Sequence, residues 1–131
     1  NAQPREIEES EDELLVKVAE FAERVQQKLN YWKQHLSEMQ QQNKKVAVWG
    51  SGSKCVAFLT SLHAADAVQC VIDINPHRHG KFIPGVAKEI MSPEYLKTFM
   101  PDEVLVMNPI YVNEIGRMLD EMGVRTQLVP V

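Results

Sequence analysis

Four apolar residues, Val46-Ala47-Val48-Trp49, run straight into Gly50-Ser51-Gly52-Ser53-Lys54-Cys55. No other stretch restricts the fold as strongly. An apolar run halted by Gly-x-Gly and followed by helical spacing reads as a buried strand turned tightly onto a helix. The first glycine permits the turn, the second lets the backbone approach a phosphate, and the helix start offers free N–H groups to an anion. The third glycine of the full fingerprint is Cys55 here, so the match is partial. Asp73 closes a second apolar run, Val68–Asp73, 21 residues after Gly52. An acid at that place can accept hydrogen bonds from ribose hydroxyls. The plainer reading stays open: two glycines that make a turn and nothing more, with Lys54 solvated.

The pattern that follows repeats the alternation. A helix is expected from about Lys54 to His63, and a long irregular loop over residues 74–91. Ser92 and Pro93 suit the N-cap and first position of a short helix through Phe99. Val104–Met107 reads as a third strand, Tyr111–Met122 as a helix stopped by Gly123, and Thr126–Val131 as a fourth strand. Strands alternating with helices imply right-handed crossovers, a parallel sheet and a three-layer α/β domain over residues 44–131, with strand order 2-1-3-4.

Ahead of this domain, Leu14, Val18, Phe21, Val25, Leu29, Trp32, Leu36 and Met39 recur at helical spacing. They predict one long amphipathic helix over residues 11–43, roughly 45 Å in length. Ser10 is the expected N-cap, with Glu13 completing a capping box. Residues 1–10 are expected to be a disordered tail or a cloning scar, since the chain opens Asn1-Ala2-Gln3-Pro4 without an initiator Met, as a fragment of a longer protein would. Part of the helix should pack on the following domain and part against a neighbour outside this chain; a coiled-coil dimer is the alternative.

Charge excludes some functions. Residues 1–43 hold nine acids and five bases, and residues 44–131 hold nine of each, so the net charge of −4 sits in the N-terminal segment. The absence of a basic face argues against a general nucleic-acid binder. No apolar run is long enough to span a bilayer. Cys55 and Cys70 do not make a disulfide framework, and a reduced, cytoplasmic setting is the simpler expectation.

Three smaller motifs carry little. Ser51-Gly52-Ser53-Lys54 spells S-x-x-K without the other signatures of penicillin-recognising enzymes. The turn lacks the G-K-[ST] of a Walker A loop. His77 and His79 form H-x-H with no cysteine or carboxylate cluster beside them, so no metal is expected. Arg78, Lys81 and the imidazoles could instead meet a phosphate, or form a solvated loop.

Several pieces in order carry a resemblance: Gly50-Ser51-Gly52-Ser53-Lys54, then Val71-Ile72-Asp73-Ile74-Asn75-Pro76, then Gly80-Lys81-Phe82-Ile83-Pro84-Gly85. Ser92-Pro93-Glu94-Tyr95-Leu96, Pro101-Asp102 and Val106-Met107-Asn108-Pro109-Ile110-Tyr111 with Glu114-Ile115 complete it. Together they resemble the C-terminal domain of the S-adenosylmethionine-dependent C-methyltransferases, the group that includes sugar-nucleotide C-methyltransferases. The sequence departs from the commoner family form at Arg78-His79, in place of Lys-Gln, and over residues 85–90.

The resemblance implies a Rossmann-like domain with a four-stranded parallel sheet, preceded by the long helix. It implies an upstream domain of the same full-length chain that holds S-adenosylmethionine, and no cofactor on this domain. The isolated domain would then lack methyltransferase activity. It would hold the nucleotide or phosphate part of a small-molecule methyl acceptor, a nucleotide sugar in the sugar-modifying members. Gly50, Ser51, Gly52, Ser53 and Lys54 would form the phosphate-facing turn, and Asp73, Asn75, Pro76 and Arg78 the next wall. Asn108, Pro109 and Tyr111 would form the third rim. Read from the residues alone, the same three loops lie beyond strand C-termini, where open α/β sheets bind ligands. Asn108-Pro109 as a plain strand end and Tyr111 as a packing residue are the plainer readings. The alternative function is a free-standing nucleotide- or NAD-binding sensor, or an interaction module.

Overall fold

The computed structural model describes residues 4–131, with side chains described from Glu11 onward. The chain divides into two compact units, the first ending at Trp32 and the second running Lys33–Val131.

Helix α1 spans Pro4–Gln41. It starts earlier than the sequence pattern indicates. Ser10 lies inside it and not at its start, and residues 4–10 of the expected tail are helix; residues 1–3 lie outside the described residues. Proline suits the first helical position because its missing N–H has no intrahelical partner there. The run of acids that follows it in sequence favours the positive end of the helix dipole. The helix ends where Asn43 takes a left-handed conformation (φ +56°) and the Lys44 N–H donates to the Met39 carbonyl at 2.9 Å. In the first unit Leu14, Val18, Phe21 and Val25 are exposed. In the second, Leu36 is buried, and His35 Nε2 lies 2.7 Å from Glu103 Oε1, a carboxylate that is itself buried.

The second unit is a three-layer α/β domain. Strands β1 (Val46–Trp49), β2 (Cys70–Ile72), β3 (Ile90–Met91), β4 (Glu103–Val106) and β5 (Gln127–Pro130) form one parallel sheet, ordered β3-β2-β1-β4-β5. The sheet thus has five strands where four were expected, and the expected order holds for the other four. The additional strand lies in the stretch read as loop. Residues 80–90 fold back as a hairpin: the Ile90 N–H donates to the Lys81 carbonyl at 2.7 Å and the Ile83 N–H to that of Lys88 at 2.9 Å. Buried Ile83 and Ile90 anchor it and set Ile90-Met91 beside Val71-Ile72.

The pleat sorts the core. Ala47, Trp49, Cys70, Ile72, Val104 and Val106 share one face with Leu96 of α3 (Leu96–Phe99) and Ile115 and Leu119 of α4 (Val112–Glu121). Val46, Val48, Val71 and Leu105 alternate onto the other face, where a right-handed crossover places α2 (Ser53–Ser61). The three inner strands β1, β2 and β4 are buried along their whole length, as the interior of a parallel sheet covered on both faces requires, while the border strands β3 and β5 are partly exposed. Among the described residues no helix is long and apolar enough to cross a membrane.

Register decides where the loops emerge. Trp49 pairs with both Ile72 and Val106, and Ile72 pairs with Met91. Gly50, Asp73 and Met107 therefore leave the sheet at one level. Each is tied to its neighbour: the Gly50 N–H donates to the Ile72 carbonyl, the Asp73 N–H to that of Met91, and the Met107 N–H to that of Trp49.

Candidate functional site

Strand order reverses at β1, whose two neighbours β2 and β4 lead to crossovers in opposite directions. At such a switch point the loops part and leave a crevice. Here the crevice is a cleft of about 400 Å³ beyond β1 and β4. The turn contributes Gly50, Gly52, Ser53, Lys54 and Cys55, and the loop after β4 contributes Met107, Asn108 and Tyr111. Trp49, Ile74, Val106 and Ile115 give it an apolar floor. A second hollow of about 260 Å³ shares Trp49, Ile74, Tyr111 and Ile115 and adds Glu114 and Met118.

The two glycines of the turn are not equivalent. Gly50 has φ +112°, and a Cβ there would meet the Met107 Cβ at 3.2 Å. It is glycine because the backbone and the adjoining strand leave no choice. Gly52 sits at φ −77° as the N-cap of α2, a conformation open to any residue, and its nearest neighbour in the Cβ direction is Arg78 Nη1 at 3.9 Å. Its missing side chain leaves backbone uncovered between the turn and Arg78. No side chain caps α2, so the amides of its first turn have no capping partner.

Asp73 braces the turn. Its Oδ2 accepts from the Ser51 N–H at 2.9 Å and from the Ser51 hydroxyl at 2.6 Å, and its Oδ1 accepts from the Asn75 N–H at 2.9 Å. Arg78 Nη1 donates to Ser51 Oγ at 3.2 Å and lies 3.9 Å from Asp73 Oδ2. Burial pushes the Asp73 carboxyl up. The hydrogen bonds from the Ser51 hydroxyl and the Asn75 and Ser51 amides, with the Arg78 charge, outweigh it and hold the carboxyl below its usual value. The loop that carries Arg78 is stapled to the same acid. The Asn75 side chain accepts from the His77 N–H at 3.0 Å, and His79 Nε2 donates to the Asp73 carbonyl at 2.6 Å. Among the described residues no three His, Cys, Asp or Glu side chains converge as metal ligands would.

The residues singled out from the sequence thus fall into three groups. Gly50, Gly52, Ser53, Lys54, Asn108 and Tyr111 line the cleft. Ser51, Asp73 and Arg78 form the hydrogen-bonded cluster that adjoins the turn. Asn75, Pro76 and Pro109 are outside the cleft lining and shape its loops: Asn75 caps a 3-10 turn begun by Pro76, and Asn108 caps one begun by Pro109. Sequence reasoning passed over Trp49, Ile74, Val106 and Ile115, the apolar floor, and Met107 at its border. The available signal was position, since residues flanking the last strand residue must border any opening at a strand end. Cys55, also in the lining, is buried; burial and then the Asp73 charge push its thiol up to about 11.

Comparison with known proteins agrees with the geometry at the level of fold. A UDP-D-quinovosamine 4-dehydrogenase from Vibrio fischeri superposes with a TM-score of 0.51 at 22% identity, covering 66% of this chain and 78% of the dehydrogenase. A Rex-family repressor, RSP, superposes with a TM-score of 0.50 at 17% identity, over 75% of this chain and 58% of the repressor. No curated protein sequence matches the chain. The C-methyltransferase C-terminal domain family matches residues 4–129. The match spans the long helix and the α/β domain together, and the chain belongs to the C-methyltransferase C-terminal domain family.

Proposed function

We propose that this domain is the acceptor-binding part of an S-adenosylmethionine-dependent C-methyltransferase and holds the phosphate-bearing end of the methyl acceptor. The carrying observation is the cleft at the β1/β4 switch point, bordered by the Gly50–Lys54 turn with its uncapped helix start. First-turn amides and the Lys54 ammonium suit a phosphate. The apolar floor of Trp49, Ile74 and Ile115 suits the body of a small molecule. Asn108 and Tyr111 offer polar atoms at the opposite rim. The methyl donor would sit on an upstream domain of the full-length protein. A cleft bordered by Lys54, with Arg78 beside it, is poorly suited to a sulfonium cation, and we assign no residue of this chain to that cofactor. In this reading the chain binds and orients the acceptor and performs no chemistry alone.

Gly52 provides the test, because its conformation tolerates a side chain. Gly52→Leu is expected to abolish binding of a nucleoside diphosphate such as UDP, followed by amide chemical-shift changes at residues 50–54, while circular dichroism stays unchanged. Equal affinity in the variant would remove the phosphate role of the turn.

A dinucleotide-binding sensor is the second reading, favoured by the Gly50–Gly52 turn and the acid at the end of β2. The commitment of Asp73 to Ser51 and Asn75 weighs against it.

A further inference from the structure

We propose that Arg78 is the specificity-determining residue of this corner: by bridging to the turn through Ser51 and facing Asp73, it makes the end of β2 select a ligand phosphate and turn away a ribose diol. The inference rests on the proposed acceptor site and adds what that site discriminates.

In a dinucleotide-binding fold the acid at the end of the second strand must present free oxygens to a pair of hydroxyls. Asp73 occupies that place, but its Oδ2 already accepts two hydrogen bonds from Ser51 and lies 3.9 Å from the Arg78 guanidinium, and its Oδ1 accepts from the Asn75 amide. To take the two hydroxyls of a diol, one on each oxygen, it would have to release a Ser51 bond, and the turn would lose part of its brace. The acid's role is therefore to position, and the group presented to a ligand is the cation. Arg78 uses one of its five donors on Ser51 Oγ, its side chain is 45% exposed, and Nη1 stands over the open backbone of Gly52. A planar guanidinium with free donors recognises phosphate oxygens in pairs. Its placement is set in advance. The Arg78 N–H donates to the Asn75 carbonyl at 3.0 Å, and the His79 bond to the Asp73 carbonyl holds the loop from the far side. The charge sum of Asp73 and Arg78 is zero, so the acid does not repel an incoming anion at this corner.

The test titrates the intact chain by calorimetry with inorganic pyrophosphate, which has no diol, and with adenosine, which has a ribose diol and no phosphate, for the parent, Arg78→Ala, Arg78→Gln and Arg78→Lys. The parent is expected to bind pyrophosphate more tightly than adenosine. Loss of the guanidinium is expected to raise the pyrophosphate Kd by about tenfold or more, the scale of one charge-assisted hydrogen bond. Arg78→Lys should recover part of the loss, and a merely structural role would not be rescued by lysine. Equal pyrophosphate affinity in parent and Arg78→Ala, with the Gly50–Lys54 amides still responding to UDP, would overturn the role of Arg78 and leave the acceptor site standing. Tighter binding of adenosine than of pyrophosphate by the parent would overturn the stated selectivity. No response of those amides to UDP in the parent would remove the acceptor site itself.

Discussion

The two glycines of the first turn make opposite demands, and substituting each by alanine separates them. At Gly50 the backbone lies at φ +112°, outside even the left-handed region that L-residues visit, and the new Cβ would press on the Met107 Cβ at 3.2 Å. Met107 follows the inner strand β4 and is itself buried, so it has little room to yield. Strain of this kind costs on the order of 3 kcal/mol. In a domain of this size that corresponds to a fall in Tm of roughly 12–24 °C. At Gly52 the backbone is in ordinary territory and the nearest atom, Arg78 Nη1, is 3.9 Å away, an ordinary van der Waals distance. Alanine there should match the parent or gain up to about 1 kcal/mol from a less flexible unfolded chain. Thermal melts followed by near-ultraviolet circular dichroism read both effects, since Trp49 abuts the turn. If Gly50→Ala melted with the parent, or if both variants fell equally, the assignment of one glycine to conformation and the other to access would be wrong.

Two further outcomes follow from the ionisable groups. Asp73 titrates below its unfolded value of about 3.9, so its ionised form stabilises the fold above that pH, and the contribution is lost as pH falls through the folded value. Asp73→Asn should therefore flatten the acid limb of a Tm-against-pH curve; an unchanged limb would mean that the Ser51 bonds carry no stability. Burial pushes the thiols of Cys55 and Cys70 up to about 11 and about 12, so both should resist a thiol reagent at pH 8 in the native state and react on unfolding in urea. Rapid native labelling of either would contradict the packing of the sheet.

Much of this organisation is legible in the residues. β1 is four apolar residues halted by glycine, and both its limits and its neighbours follow from that pattern. β3 is not legible, because Ile90-Met91 is too short for any periodicity; it becomes a strand only through the hairpin that returns it to Ile72. The helix start at Pro4 was hidden by Ser10, a residue that fits a cap locally but lies within a longer run of helix formers. In the site, the spacing of Gly52 and Asp73 places the acid near the turn but cannot show that its oxygens face Ser51. That orientation depends on the Asn75 amide and the His79 imidazole, which fix the loop after β2. The apolar floor escaped because Trp49, Ile74, Val106 and Ile115 are scattered along the chain, and only the register of three strands brings them to one opening.

The borders of the sheet have a consequence for assembly. One border strand, β3, has two residues, and the other, β5, ends in Pro130, which has no N–H to offer a further strand. Neither border is a template for lengthening the ladder by another chain. Neighbours of this domain are thereby directed to helix flanks and loop tips, and the folded form is guarded against edge-to-edge polymerisation.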